Sequence, residues 1–280
     1  MTLTLTHCYV DESVHADSGF VASSFVFTEA GFENDVEHAL VEAGLTPREQ
    51  ELKSTARMDS NPAMRAARDS ILALAGSRTR LAVFVGPYDR RTIGKHCLQA
   101  LQSVLLRNGL MPSSLQVHFD EDIFPSEAEA QRLHQLFRFL SDVRVHSRED
   151  SRVILGIQVA DVVANSFGQI LKAEISGESK IVEIGGPNTG YPEGTTAPLG
   201  WSLLMSLRYA LFTRPMAYEG QVYPPASDPV VLDPINDDPA SYGQHPVLIG
   251  WGVQVAPESC AELRHAVERS LGKLWLGCIH

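Results

Sequence analysis

The sequence lacks the cysteine and histidine clusters that a dedicated zinc site needs. Its four cysteines, Cys8, Cys97, Cys260 and Cys278, are far apart and form no CxxC pair, which excludes a zinc knuckle and a thioredoxin-type redox motif. The ten histidines are scattered, with no HExxH pair on a helix. This pattern disfavours a zinc hydrolase and predicts reduced, mostly buried thiols.

Membrane and common enzyme signatures are missing as well. No run of about 18 apolar residues is present. The opening MTLTLTHCY has neither the basic start nor the apolar block of a signal peptide. The chain contains no GxSxG elbow, Walker loop or strand-GxGxxG-helix unit. We therefore expect a cytoplasmic protein without membrane contact.

Positive charge is scarce and unevenly distributed. The net charge of -11 argues against a surface that attracts nucleic acid everywhere. Residues 48–107 nevertheless hold eleven Lys and Arg against five Asp and Glu. This segment forms either one basic face for a phosphate backbone or an ordinary solvated helix surface. Arg90, Arg91 and Lys95, which open a predicted helix, are the residues we expect to contact a nucleic-acid strand.

The order of apolar patterns indicates an α/β fold. Residues 3–11 and 19–28 are β-branched and aromatic runs, and the turn between them predicts an antiparallel hairpin. Helical periods then alternate with short apolar runs up to about residue 176. The pattern predicts a three-layer α/β domain over residues 1–176, with a mixed sheet covered by helices.

The remaining chain, residues 177–280, has a different composition. Ten of the sixteen prolines lie between Pro187 and Pro246, which predicts a loop-rich extension. Its end returns to regular patterns, with a strand predicted over residues 246–255 and a helix over residues 257–277. We expect this extension to pack on the core.

Two predicted strands run into acidic residues. The first ends at Asp11 and Glu12, and a later one ends at Asp120, Glu121 and Asp122. If these strands are neighbours, their carboxylates meet at one edge of the sheet, and a hard divalent cation would relieve the repulsion. The alternative is that both groups are ordinary turn residues.

A late helix carries a third acid. In GIQVADVVANSFGQIL, the polar residues Gln158, Asp161 and Asn165 form one narrow stripe on an otherwise apolar helix. A buried carboxylate needs a hydrogen-bonding or metallic partner, unless the stripe faces water. The loop segment EQELKST either adds Glu51 as a fourth acid, with Lys53 beside it to contact a phosphate, or is a solvated loop with mixed charges, which this segment alone favours.

Four motifs together resemble a known family. YVDES, ELKS, VHFDED and SRVILGIQVADVVANSFG occur in this order over residues 1–176 and are similar to the domain-of-unknown-function family 3800. That family is regarded as a member of the ribonuclease H-like superfamily, whose enzymes hold two divalent metals. The resemblance implies a ribonuclease H-like mixed β-sheet flanked by helices, followed here by the loop-rich C-terminal extension.

The resemblance also implies a metal site. The metal ligands that it implies, which would also be the catalytic residues, are Asp11, Glu51, Asp120 and Asp161. The supporting neighbours are Glu12, Ser13, Lys53 and Gln158. His118, two residues before Asp120 on the same strand face, either orients a ligand or packs within the sheet. Glu49 remains an alternative to Glu51.

An all-carboxylate ligand set suits Mg²⁺ or Mn²⁺, which predicts a nuclease that hydrolyses phosphodiesters with two metal ions. RNA, DNA, a hybrid and a small phosphoester remain open as substrates. The alternative function is a non-catalytic ribonuclease H-like binding or regulatory component of a defence or mobile-element system. In either case the extension offers a surface for a protein partner or for a second copy of the chain.

Overall fold

The computed structural model of the protein describes residues 4–54, 60–108, 110, 115–137, 140–186, 189–212, 247–249 and 252–271. None of the helices within these ranges combines the length and the apolar character that crossing a lipid bilayer requires.

A mixed sheet forms the centre of the molecule. Its strands are β1 (His7–His15), β2 (Phe20–Thr28), β3 (Arg80–Pro87), β4 (Gln116–Asp120), β5 (Arg144–Glu149), β8 (Val247–Ile249) and β9 (Val253–Val255). They lie in the order β5-β4-β1-β2-β3-β9-β8. Strands β6 (Ile181–Glu183) and β7 (Thr196–Pro198) form a separate antiparallel pair.

Helices cover both faces of this sheet. They are α1 (Phe32–Glu42), α2 (Pro62–Arg78), α3 (Ile93–Arg107), α4 (Glu127–Leu136), α5 (Leu155–Ser176), α6 (Leu199–Leu207) and α7 (Ala261–Ser270). One apolar cluster joins the sheet to α1, α2, α5, α6 and α7. A second cluster joins the opposite face to α3 and α4. The prediction of an α/β fold with a mixed sheet flanked by helices is therefore confirmed.

Local sequence signals explain where several helices begin and end. Asn61 caps α2 by accepting a hydrogen bond from the backbone N–H of Met64 at 3.2 Å, and Pro62 follows it at the first helical position. The hydroxyl of Ser126 accepts from the N–H of Glu129 at the start of α4. Helix α5 ends at Gly177, whose φ of 68° lies in the left-handed region.

The first strand begins and ends four residues later than its sequence pattern indicates. Strands β1 and β2 form the predicted antiparallel hairpin, with Asp11 opposite Ser24 and His15 opposite Phe20. The prediction that β1 ends at Asp11 and Glu12 is wrong, because β2 pairs with it as far as His15. The strand that ends beside Asp11 is β4, the parallel neighbour of β1, and its last residue is Asp120.

The C-terminal residues join the same sheet. β9 pairs parallel to β3, and β8 folds back antiparallel on β9. The prediction of a single strand over residues 246–255 is therefore wrong, since the chain forms two short strands there. Leu207 of α6 and Val267 of α7 are buried in the cluster that contains α5. The division at residue 176 stays a prediction, and most of the proline-rich segment lies outside the described residues.

Candidate metal centre

Asp11 and Asp120 lie side by side on neighbouring parallel strands. The register pairs Tyr9 with His118 and Val10 with Phe119, so Asp11 and Asp120 come next on β1 and β4. The alternation of side chains places both carboxylates on the face that α5 covers, since Tyr9 belongs to the cluster on that face. Asp11 is only 8% exposed. The sequence left open whether the strands that carry Asp11 and Asp120 are neighbours. The pairing of β1 with β4 shows that they are.

Helix α5 packs closely on β1 and β2. Gly156 permits the approach, because a Cβ atom at this position would lie 2.4 Å from the ring of Tyr9. The hydroxyl of Ser24 on β2 donates a hydrogen bond to the carbonyl of Ala160 at 2.7 Å. These contacts fix the helix just before Asp161, so that its carboxylate lies near enough to Asp11 for their charges to interact.

The polar stripe of α5 begins with Gln158, which holds two other segments together. Its side-chain oxygen accepts from the N–H of Leu52 at 3.0 Å, and its amide donates to the carbonyl of Ser151 at 2.8 Å. Gln158 is buried, so these bonds take the place of bonds that it would otherwise make to water. Gln158 thus positions the loop that carries Glu51, and its supporting role at a metal stays a prediction.

The next residues of the stripe face the same loop and β1. Asp161 accepts hydrogen bonds from the backbone N–H and the hydroxyl of Ser54, at 2.8 and 2.6 Å. The amide of Asn165 donates to the hydroxyl of Ser13 at 3.5 Å. The alternative that this stripe simply faces water is therefore wrong.

Glu51 reaches the site from the loop between α1 and α2. Its carboxylate accepts a hydrogen bond from the hydroxyl of Ser151 at 2.7 Å and pairs with Lys53 at 3.2 Å. Its negative charge contributes to a raised pKa of Asp161, which places it close to that carboxylate. Glu49 is exposed and has no comparable contact in the described part of the loop.

Burial and mutual repulsion disfavour the charged forms of these acids. Burial raises the pKa of Asp11 well above its ordinary value, and the charges of Asp120 and Asp161 raise it further. Burial likewise raises the pKa of Asp120 to about 6. The pKa of Asp161 is also raised by burial, although the hydrogen bonds from Ser54 oppose this shift. A positive charge at this position would relieve all three carboxylates.

Lys53 supplies part of this positive charge. Its side chain is exposed, and the hydrogen bond to Glu51 raises its pKa, as do the charges of Asp161 and Asp120. The ammonium group therefore stands at the border between the acidic cluster and solvent.

Glu12 points to the opposite face of β1 from Asp11. Burial raises the pKa of Glu12 to about 7, with Asp120 and Asp122 adding repulsion. One carboxylate oxygen of Glu12 is buried and has no hydrogen-bond partner. Arg90 pairs with Asp122 at 3.0 Å, so one of the three predicted substrate-binding cations lies close to the acidic edge. Arg91 pairs with Asp89, and Lys95 is exposed.

The tightest group of ligand atoms in the described residues is not the carboxylate set. It consists of His118, His146 and Glu149, which each offer one atom within 4.8 Å of the others. No three of the four predicted carboxylates meet this distance. Carboxylates without a bound cation repel one another. A centre with two ions about 4 Å apart also distributes its ligands more widely than a single ion does.

Sequence reasoning missed His146 and Glu149. Both lie on β5, where the register places His146 opposite His118 and Glu149 opposite Asp120. The ring of His118 stacks on Tyr9 at 5.4 Å and on His146 at 4.7 Å. Burial lowers the pKa of His118 to about 4, so this imidazole is neutral. The sequence signal that could have identified this pair is a histidine in each of two short strands. It predicts a contact between the two rings only when the register of the strands is known.

Comparison with models of known protein families finds no match to the chain, and no curated protein matches it either. The site therefore has to be interpreted from its own geometry and chemistry. It consists of carboxylates from β1, β4, α5 and the segment before α2, brought together at the end of β4. Such a set can bind a hard divalent cation.

Proposed function

We propose that the protein is a divalent-metal-dependent nuclease with a ribonuclease H-like fold. Asp11, Glu51, Asp120 and Asp161 are its metal ligands in this proposal. The observation that carries it is the placement of Asp11 beside Asp120 on neighbouring parallel strands, with Asp161 held above them by α5. Burying like charges together is unfavourable, and cation binding is the common reason why proteins retain such an arrangement.

The residues present fit Mg²⁺ or Mn²⁺. The ligand set contains oxygen donors alone, which suits hard cations better than zinc. Burial raises the pKa of each of Asp11, Asp120 and Asp161, and a bound cation would favour their charged forms. When bound, two such ions would activate a water molecule and stabilise the leaving oxygen at a phosphodiester.

The chain itself contributes positioning and charge. Gln158 fixes the segment that carries Glu51, through Leu52. Ser54 orients both oxygens of Asp161, a role typical of the residues that surround metal ligands. Lys53 is placed to contact a phosphate oxygen of the substrate.

The order of these elements supports the ribonuclease H-like interpretation. Acids on the first strand, a loop, a middle strand and a late helix are what the resemblance to family 3800 implies, and the four carboxylates stand on elements of that kind. The basic segment 48–107 contains Lys53 and Arg90, which border the acidic cluster from two sides. A polyanionic substrate fits this combination of acidic centre and basic border.

The experiment is a cleavage assay with labelled single-stranded RNA, single-stranded DNA and an RNA–DNA hybrid. Wild type, Asp161→Asn and the control Asp142→Asn, an exposed acid before β5, are each incubated with Mg²⁺, Mn²⁺ or a chelator. We expect metal-dependent cleavage of at least one substrate, reduced at least about 100-fold in Asp161→Asn and unchanged in the control.

Absence of cleavage from all three folded proteins would contradict the proposal. Retained cleavage by Asp161→Asn would contradict the ligand assignment. Binding of nucleic acid without cleavage would favour the non-catalytic binding component.

A further inference from the structure

We propose that His118, His146 and Glu149 form a second metal site, which takes a borderline transition-metal ion of the Zn²⁺ type. This site does not depend on the proposed nuclease function. Its three residues lie on the adjacent parallel strands β4 and β5, with His118 and His146 directly opposite each other. One ligand atom from each residue lies within 4.8 Å of the other two, a spacing close to that of ligands around one ion.

Unsatisfied ring nitrogens point to a ligand at this position. Nδ1 of His118 and Nε2 of His146 are both shielded from solvent and have no hydrogen-bond partner in the described structure. His118 is only 9% exposed. Leaving a buried polar atom unpaired costs free energy, so proteins rarely retain two neighbouring examples without a purpose. A metal bound to Nδ1 of His118 and Nε2 of His146 would satisfy both atoms. The nitrogen of His146 that lies 3.8 Å from Oε1 of Glu149 is Nδ1.

The position on the sheet makes the site accessible. β5 is the edge strand of the sheet, and the side chains of His146 and Glu149 are 40% and 29% exposed. An imidazole binds a metal in the plane of its ring, whereas the rings of His118 and His146 now stack with an angle of 7° between them. Loading therefore requires one ring to turn, and the half-exposed His146 at the edge has room to do so.

The donor set selects the class of ion. Two imidazole nitrogens and one carboxylate match the three protein ligands of catalytic zinc sites, which keep one position open for water. Imidazole favours Zn²⁺, Ni²⁺ and Cu²⁺ over Mg²⁺. The site is thus distinct from the centre around Asp11 and Asp161, which offers oxygen alone.

Zinc titration of the protein, after bound transition metals have been removed, tests this assignment. Isothermal calorimetry in excess Mg²⁺ is compared for wild type, His146→Asn, Glu149→Gln and the control His38→Asn. His38 is an exposed histidine with Glu42 one helical turn away, and so represents an ordinary surface pair. We expect about one zinc ion per wild-type chain. Binding should weaken at least about 10-fold in the two site variants and remain unchanged in the control.

Absorption spectroscopy at the zinc edge provides a second measurement, with two imidazole ligands expected at about 2.0–2.1 Å from the metal. Asp161→Asn should still bind zinc, which separates this site from the proposed nuclease centre. No stoichiometric zinc binding by wild type, or equal binding by wild type and His146→Asn, would overturn the proposal. Loss of zinc binding in His38→Asn alone would also overturn the proposal, because it would place the zinc at the surface pair of His38 and Glu42.

Discussion

Replacing Asp120 with asparagine should stabilise the metal-free protein at alkaline pH. Asp120 is half-buried, and its pKa is raised from an ordinary 3.8 to about 6. The folded protein therefore holds the proton of Asp120 more tightly than the unfolded chain does. Stability from this group is fully present below the unfolded pKa and is lost as the pH rises from about 4 to about 6.

The magnitude follows from the size of this shift. A pKa raised from 3.8 to about 6 corresponds to about 3 kcal/mol, and this is the cost of ionising Asp120 in the folded state above pH 6. Solvent and small movements of β4 reduce this cost, so we expect Asp120→Asn to gain about 1 to 3 kcal/mol at pH 8. At pH 4 both proteins carry a neutral group there, and the gain should nearly disappear.

Urea unfolding in the presence of a chelator measures this difference at the two pH values. Asp142→Asn serves as the control, because Asp142 is exposed and its replacement should change the free energy of unfolding little at either pH. A variant that is less stable than wild type at pH 8, or equally stabilised at both pH values, would refute the reasoning from the burial of the Asp120 carboxylate.

Three further results are expected. Mn²⁺ at about 100 times its dissociation constant should stabilise wild type by about 2.7 kcal/mol, as measured by thermal unfolding, whereas Asp11→Asn should show little effect. Gly156→Ala should lower the free energy of unfolding in urea by about 1 to 3 kcal/mol, because the added methyl group meets the ring of Tyr9. Gln158→Leu should cost about 2 kcal/mol or more in the same assay, because it leaves the N–H of Leu52 and the carbonyl of Ser151 unpaired. Wild-type stability in either variant would contradict the corresponding contact.

Local patterns in the sequence predicted much of the fold. The hairpin of β1 and β2 and the helix α5 follow from short-range periodicity and turn residues, which each segment carries within itself. The stripe of Gln158, Asp161 and Asn165 could also be identified, since polar residues on a buried helix need partners. The sequence did not reveal these partners, Leu52, Ser54 and Ser151, because they belong to loops without periodicity.

Strand pairing was harder to predict, because it depends on residues far apart in the chain. The length of β1 is set by β2, so the acidic residues that seemed to end β1 lie inside it. The pairing of β9 with β3 likewise joins segments about 170 residues apart. The His118–His146 pair depends on the register of β4 and β5, which no local pattern specifies.

Crystals soaked in Mn²⁺ and measured for its anomalous scattering would test most directly whether the carboxylates form a metal centre. The account predicts anomalous peaks between Asp11, Asp120 and Asp161, with Glu51 close enough to complete the coordination. Mn²⁺ absent from these residues at saturating concentration, or bound only at His118, His146 and Glu149, would contradict it.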